Sequence, residues 1–212
     1  MSVRPRAAEL DESLQGIGDR LRQERVKAGL SQRELARRLG LSASMISQIE
    51  SGMSKPSVGT LYAVVTELNL SLDRLIRGDD YDDRHSLPAT VPGSPLVHPQ
   101  DRQAIDLDSG VRWEELTATP EDGVDFLLAT YEVGGASTPD ESLMRHHGRE
   151  YGYVISGILG VQIGFQEYEL KPGDSIAFDS TRPHRLFNKG EEPVDAIWFV
   201  VGRDSEGRPT PT

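Results

Sequence analysis

Residues 31–57, SQRELARRLGLSASMISQIESGMSKPS, constrain the fold more than any other stretch. Ser31 stands where an N-cap belongs, ahead of a short helical run from Gln32 to Leu39. Ala36 is small where a second helix must approach closely, and Gly40 supplies the positive-φ residue of a tight turn. Ser42 caps the next run, whose Ile46 and Ile49 share an inward face with Leu35 and Leu39. Two short helices, a glycine turn and a small residue at the crossing make a helix-turn-helix. Leu14, Ile17 and Leu21 recur at helical spacing ahead of it. The region 12–77 is therefore expected to be an all-α bundle, of five helices.

The period then changes. Residues 78–100 hold four Asp and four Pro with no periodicity and read as a linker. Further on, VRWEELT, VDFLLATYEV, EYGYVISG, LGVQIGF, EYELKPG, DSIAFDS, HRLFNKG and DAIWFVVG are short, alternating or apolar. Turns rich in Gly, Pro or acids separate them, as in a β-sandwich or barrel. The expected fold class is α + β in two domains, the second over 101–202, with a disordered tail at 203–212.

There are no cysteines, which excludes disulfides, thiolate zinc sites and cysteine nucleophiles. No apolar run approaches the roughly 18 residues of a bilayer span, and the first residues lack the apolar core of a signal peptide. No membrane partner and a cytoplasmic location are expected. The net charge of -11 is unevenly spread. Residues 1–80 hold 12 Lys/Arg against 11 Asp/Glu, and residues 81–212 hold 11 against 23. Within 17–56 the count is 8 against 4. A locally basic segment joined to an acidic remainder fits one DNA-binding domain plus one of another kind.

The pattern SQ.ELA..LGLS...IS.IE.G...PS, continuing into TLYAVVTELNLSLDRLI, resembles the phage-repressor-like, xenobiotic-response-element family of regulators over residues 14–77. The resemblance implies a helix at 42–51 in the major groove of operator DNA. It places Ala43, Ser44, Ser47 and Gln48 toward the bases, where Gln48 could read an adenine edge. Gln32, at a helix start, would meet a backbone phosphate. Arg33 and Lys55, with Arg37 and Arg38, are candidate phosphate ligands; a solvated basic face is the plainer alternative. Repressors of this kind read palindromic operators as homodimers, so a homodimer is expected.

Residues 138–200 resemble the cupins, whose fold is a double-stranded β-helix barrel. One motif runs His146, three residues, Glu150, six residues, Gly157; the other runs Gly173, ten residues, His184, three residues, Asn188. Metal-binding cupins carry two histidines one residue apart before the glutamate; here Met144 and His146 hold those positions. His147 is out of phase and expected to point outward, with Arg145 and Arg149. The resemblance leaves His146, Glu150 and His184 as possible ligands of a divalent metal (Fe, Mn, Ni or Zn). Tyr153, Phe178, Phe187 and Trp198 are added as pocket candidates by strand alternation.

Three readings of the triad stay open: polar groups orienting a small-molecule effector, a metal in a sensing role, or a catalytic metal. Two histidines and a carboxylate can form the facial triad of non-haem Fe(II). The arrangement is similar to hydroxypropylphosphonic acid epoxidase, a cupin with an N-terminal helix-turn-helix. A metal-dependent oxidoreductase is therefore the alternative to the preferred reading, a non-enzymatic regulator whose cupin domain senses an effector.

Overall fold

The structure, a computed structural model, describes residues 7–68, 70, 72, 75, 95–118 and 123–202. Four α-helices lie among them: α1 (Ala7–Lys27), α2 (Gln32–Leu39), α3 (Ala43–Glu50) and α4 (Val58–Glu67). Most of the residues where a fifth helix was expected lie outside the described set, as do 78–94 of the linker and the tail at 203–212. None of the described helices is long and apolar enough to cross a membrane.

Serines set the helix starts. The hydroxyls of Ser31, Ser42 and Ser57 each accept the amide N–H three residues on, from Glu34, Met45 and Thr60 at 3.1 Å. Such caps contribute about 1 kcal/mol apiece. Gly40 ends α2 at φ 69°, turning the chain so that α3 crosses α2 over Leu35, Ala36 and Ile46. A buried ion pair ties α1 to α3: the Arg25 guanidinium grips both oxygens of Glu50 and also donates to the Leu30 carbonyl at 2.7 Å.

Among the described residues nine antiparallel strands follow: β1 (Ala104–Leu107), β2 (Val111–Glu115), β3 (Val124–Tyr131), β4 (Arg149–Ser156), β5 (Leu159–Ile163), β6 (Gln166–Leu170), β7 (Ser175–Asp179), β8 (His184–Asn188) and β9 (Val194–Val201). They form two sheets, ordered β1-β2-β3-β9-β4-β7 and β6-β5-β8. The expected β-rich C-terminal domain is present, as two sheets rather than one continuous ladder among the described residues. No ladder joins the two sheets among the described residues. The bridges Ala136–Phe187 and Met144–His184 tie the irregular segment 132–148 to β8, helped by the Leu186 amide donating to the Ser137 hydroxyl at 3.0 Å. Gly134 and Gly148, at φ 76° and 110°, and Pro139 keep that segment from forming a regular strand.

The inward faces of both sheets share one core. Val154, Leu159, Val161, Leu186 and Ala196 are all nearly inaccessible. The same cluster continues into the helices through Ile17, Leu21, Leu61 and Val65. Helix α4 is buried at Val58, Leu61, Tyr62, Val64 and Val65, as a helix apolar on several sides must be. The Gly59 amide donates to the Ser137 carbonyl at 3.1 Å, and the Asp108 amide donates to the Pro56 carbonyl at 2.9 Å. The helical domain is thus seated on the β domain through α4.

Removing one partner of the Arg25–Glu50 pair leaves a buried charge uncompensated, at a cost of about 3 kcal/mol or more. Glu50→Ala should lower the unfolding free energy measured by denaturant titration by that amount, while Gln48→Ala, on the exposed face of α3, should leave it unchanged.

Candidate ligand site and nucleic-acid interface

Alternation along β4 turns Glu150, Gly152 and Val154 inward. His184 opens β8 and faces inward from the opposite sheet. His146 lies just before β4, its amide donating to the Ser180 carbonyl at 3.1 Å. His146 Nε2 and His184 Nε2 each stand 3.0 Å from Glu150 Oε1. The carboxylate therefore joins the two sheets through their interior. Its other oxygen, Oε2, accepts from Trp198 Nε1–H at 2.7 Å.

Both tautomers follow from the partners. Nδ1 of His146 lies 3.0 Å from the His147 carbonyl, and Nδ1 of His184 lies 2.8 Å from the Arg182 carbonyl. A carbonyl only accepts, so each Nδ1 carries a hydrogen. Both Nε2 atoms then turn toward the carboxylate. These contacts have ion-pair length, yet Nε2 of both rings and Oε1 are buried with no partner in a hydrogen-bonding direction. A carboxylate oxygen and two imidazole nitrogens in one dry place call for positive charge, as a ring proton or as a cation between them.

Burial alone would raise the Glu150 carboxyl, but the two imidazoles outweigh it and hold the pKa well below the usual range. Burial disfavours the charged His184 ring, and Glu150 outweighs that too, raising its pKa. A divalent metal fits the same demand. Its bonds to histidine run about 2.0–2.1 Å, so two ligands at right angles on one ion stand about 3.0 Å apart. Both imidazoles have that spacing from Oε1, and the three ligand atoms lie within 4.8 Å of one another. Two imidazoles and a carboxylate suit Fe, Mn, Ni or Zn.

The other pocket candidates divide by parity. Phe178 is buried beside His184, ring centroids 5.1 Å apart. Trp198 is buried and orients Glu150. Tyr153 is 49% exposed on the outer face, because the alternation that admits Glu150 excludes a residue three positions later. Phe187, three after His184, is likewise out of phase and packs over Gly160 under Arg185. His147, Arg145 and Arg149 are exposed. Met144 pairs with His184 across the bridge, so their side chains share a face.

Sequence reasoning missed three contributors. Gly152 lies opposite Trp198 in the ladder, and a Cβ there would sit 2.0 Å from the indole. Tyr131 is buried, and burial followed by the negative charge of Glu150 pushes its phenol up, keeping it neutral. Tyr62 comes from α4 and stacks on His146, centroids 4.2 Å apart with planes 15° from parallel. The EYGY glycine is a readable signal for a close approach, but no local pattern links Tyr62 to a histidine 84 positions away.

On the helical domain, Ser44 and Gln48 are exposed on α3, Ala43 and Ser47 are half-buried, and Ile46, Ile49 and Glu50 face the core. Met45, 42% exposed, joins this face and was not anticipated. Among the described residues, exposed Arg33 and half-buried Lys55 have no ion-pair partner, whereas Arg37 and Arg38 are held by Glu34, and Arg38 also by Glu67. Gln32 donates to Glu50 Oε2 at 2.7 Å, so its amide supports the buried ion pair.

Gly152→Ala tests whether the close approach holds Trp198 in place. The added methyl must displace the indole, costing about 1–3 kcal/mol and breaking its bond to Glu150. Near-ultraviolet circular dichroism should change in the tryptophan region and the thermal midpoint should fall.

Two domain families match the chain: helix-turn-helix over residues 21–75 and cupin over residues 127–200. The HTH-type transcriptional regulator PuuR of Escherichia coli K12 is 30% identical over 173 residues, covering 81% of this chain and 86% of the relative. SutR, an HTH-type transcriptional regulator of the same organism, is 26% identical over 174 residues, covering 82% and 88%. A crystal structure of an HTH_3 family transcriptional regulator from Vibrio cholerae superposes with a TM-score of 0.64 at 24% identity, over 91% of this chain and 98% of that one, which establishes a shared fold. The chain belongs to the HTH-type transcriptional regulators, with a DNA-binding helix-turn-helix domain joined to a cupin domain.

Proposed function

We propose that this regulator is a one-component repressor of the phage-repressor-like type, acting in the cytoplasm without catalysis. Its cupin domain senses a small-molecule effector at His146, Glu150 and His184, with a divalent metal as cofactor. The carrying observation is the set of three buried ligand atoms with no hydrogen-bond partner of their own. When bound, the metal supplies positive charge and coordination positions for an oxygen or nitrogen donor of the effector. The chain's residues do the rest. The two carbonyls fix the imidazole tautomers, Trp198 restrains one carboxylate oxygen, and Phe178 and Tyr131 keep water out.

On DNA, Ser44, Ser47 and Gln48 read base edges, with Ala43 and Met45 available to thymine methyls. Arg33 and Lys55 meet phosphates, supported by their lack of internal ion pairs among the described residues. Gln32 meets a phosphate only with the part of its amide not engaged by Glu50. A homodimer sets two α3 helices one turn of DNA apart. The outer face of the six-stranded sheet, with exposed Tyr151, Tyr153 and Ile155 beside Phe199, is the apolar surface that supports self-association. An effector that prefers one arrangement of the two heads shifts operator affinity by that preference.

A duplex selected from a random pool by the intact protein tests this directly. Arg33→Ala should weaken it and reduce the magnitude of the salt slope by about one. Gln48→Ala should change the selected sequence. A protein that selects no sequence at physiological salt contradicts the operator assignment. His184→Ala should remove stoichiometric metal from the purified protein. The oxidoreductase reading rests on the triad alone, and its distinguishing result is turnover of an organic substrate by the Fe(II)-loaded protein.

A further inference from the structure

We infer that Tyr62, a residue of the DNA-binding domain, is a positioning residue of the His146–Glu150–His184 site, so that a cation held there and the seating of α4 are linked. The inference rests on the metal reading given above. Its basis is an asymmetry between the two histidines. His184 is locked into β8, paired in the ladder to Ile163 of β5 and exchanging two backbone hydrogen bonds with Met144. His146 belongs to no strand, and among the described residues a single backbone hydrogen bond, from its amide to the Ser180 carbonyl, holds its main chain. Its ring is held by a bond to the neighbouring carbonyl of His147, by an edge contact with His184 at 5.2 Å and by the face of Tyr62 at 4.2 Å. The less anchored ligand is the one that the helical domain covers.

Tyr62 is itself held. Its ring meets the edge of Trp113 at 5.5 Å, and its helix is fixed one turn earlier by the bond from Gly59 to Ser137. A side chain at 59 would stand 3.0 Å from the Thr138 methyl and 3.6 Å from Met144 Cβ, so α4 lies against the segment on the N-terminal side of His146. The other end of α4 reaches the DNA-reading helices. Glu67 pairs with Arg38 of α2, and Leu68 packs against the Leu35–Ala36–Ile46 cluster beneath α3. One rigid helix therefore touches a candidate metal ligand at one position and the recognition helix's support at another. Linkage is reciprocal: whatever α4 contributes to cation affinity, the cation returns to the seating of α4.

Ni(II) titrated into the full-length protein is the probe, with affinity read by calorimetry and amide hydrogen exchange read over residues 59–65. In the native chain, Ni(II) should slow exchange across 59–65. Tyr62→Leu keeps an apolar side chain but removes the flat face; it should weaken Ni(II) by about ten-fold, the lower end for groups that orient metal ligands, and abolish the Ni(II)-induced protection. Tyr62→Phe keeps the ring and should bind within about two-fold of the native chain, a rescue that a purely structural role would not require. Unchanged exchange at 59–65 on Ni(II) binding to the native chain overturns the inference, and this measurement needs no variant to fold. Equal affinity of folded Tyr62→Leu and native protein overturns it as well. If the native chain takes up no Ni(II), or uptake survives combined Glu150→Gln and His184→Ala, the metal reading fails first and the inference falls with it.

Discussion

The contact on which the rest of the β domain turns is the Glu150 carboxylate, held between two imidazoles that come from different parts of the chain. A buried carboxylate is costly unless charge and hydrogen bonds compensate it. Here one oxygen takes the indole N–H of Trp198, and the other faces Nε2 of His146 and His184 at 3.0 Å. Backbone carbonyls on the far side of both rings prevent the imidazoles from turning away. The two sheets share no ladder among the described residues; this polar cluster, the apolar core around it and the Asn188 amide of β8 donating to the Tyr131 carbonyl of β3 at 3.0 Å join them.

That cluster does not sit in an isolated sensor domain. The hydrophobic core runs without interruption from α1 and α4 into both sheets, and Tyr62 lies on the His146 ring. A tether alone would let the DNA-reading head move independently of the ligand site. A shared core makes the two positions parts of one packed object, in which small shifts at one face are resolved at another. Such packing lets a regulator respond to a ligand bound far from its recognition helix.

Much of this was legible in the sequence, because local rules carried it. Ser31, Ser42 and Gly40 occupy roles that only caps and a left-handed turn explain. The resemblance to cupins, carried by the two motifs, pointed to His146, Glu150 and His184, which the fold brings together. What was not legible is of two kinds. Tyr153 was misplaced by strand parity, a counting matter that the inward position of Glu150 settles. The two-sheet arrangement, the Trp198–Glu150 bond and the Tyr62 stack depend on long-range pairing, which no periodicity encodes. Tyr62 in particular reads from sequence as one more apolar position on α4, since the residue it covers belongs to the other domain.

The most direct test of the whole account is the affinity of the intact regulator for its selected duplex, measured with the site loaded with a divalent metal and again after the metal is stripped. The account predicts affinities that differ by about five-fold or more, the lower end of ordinary coupling between sites. Equal affinity in the two states, with metal bound stoichiometrically in the first, would contradict it.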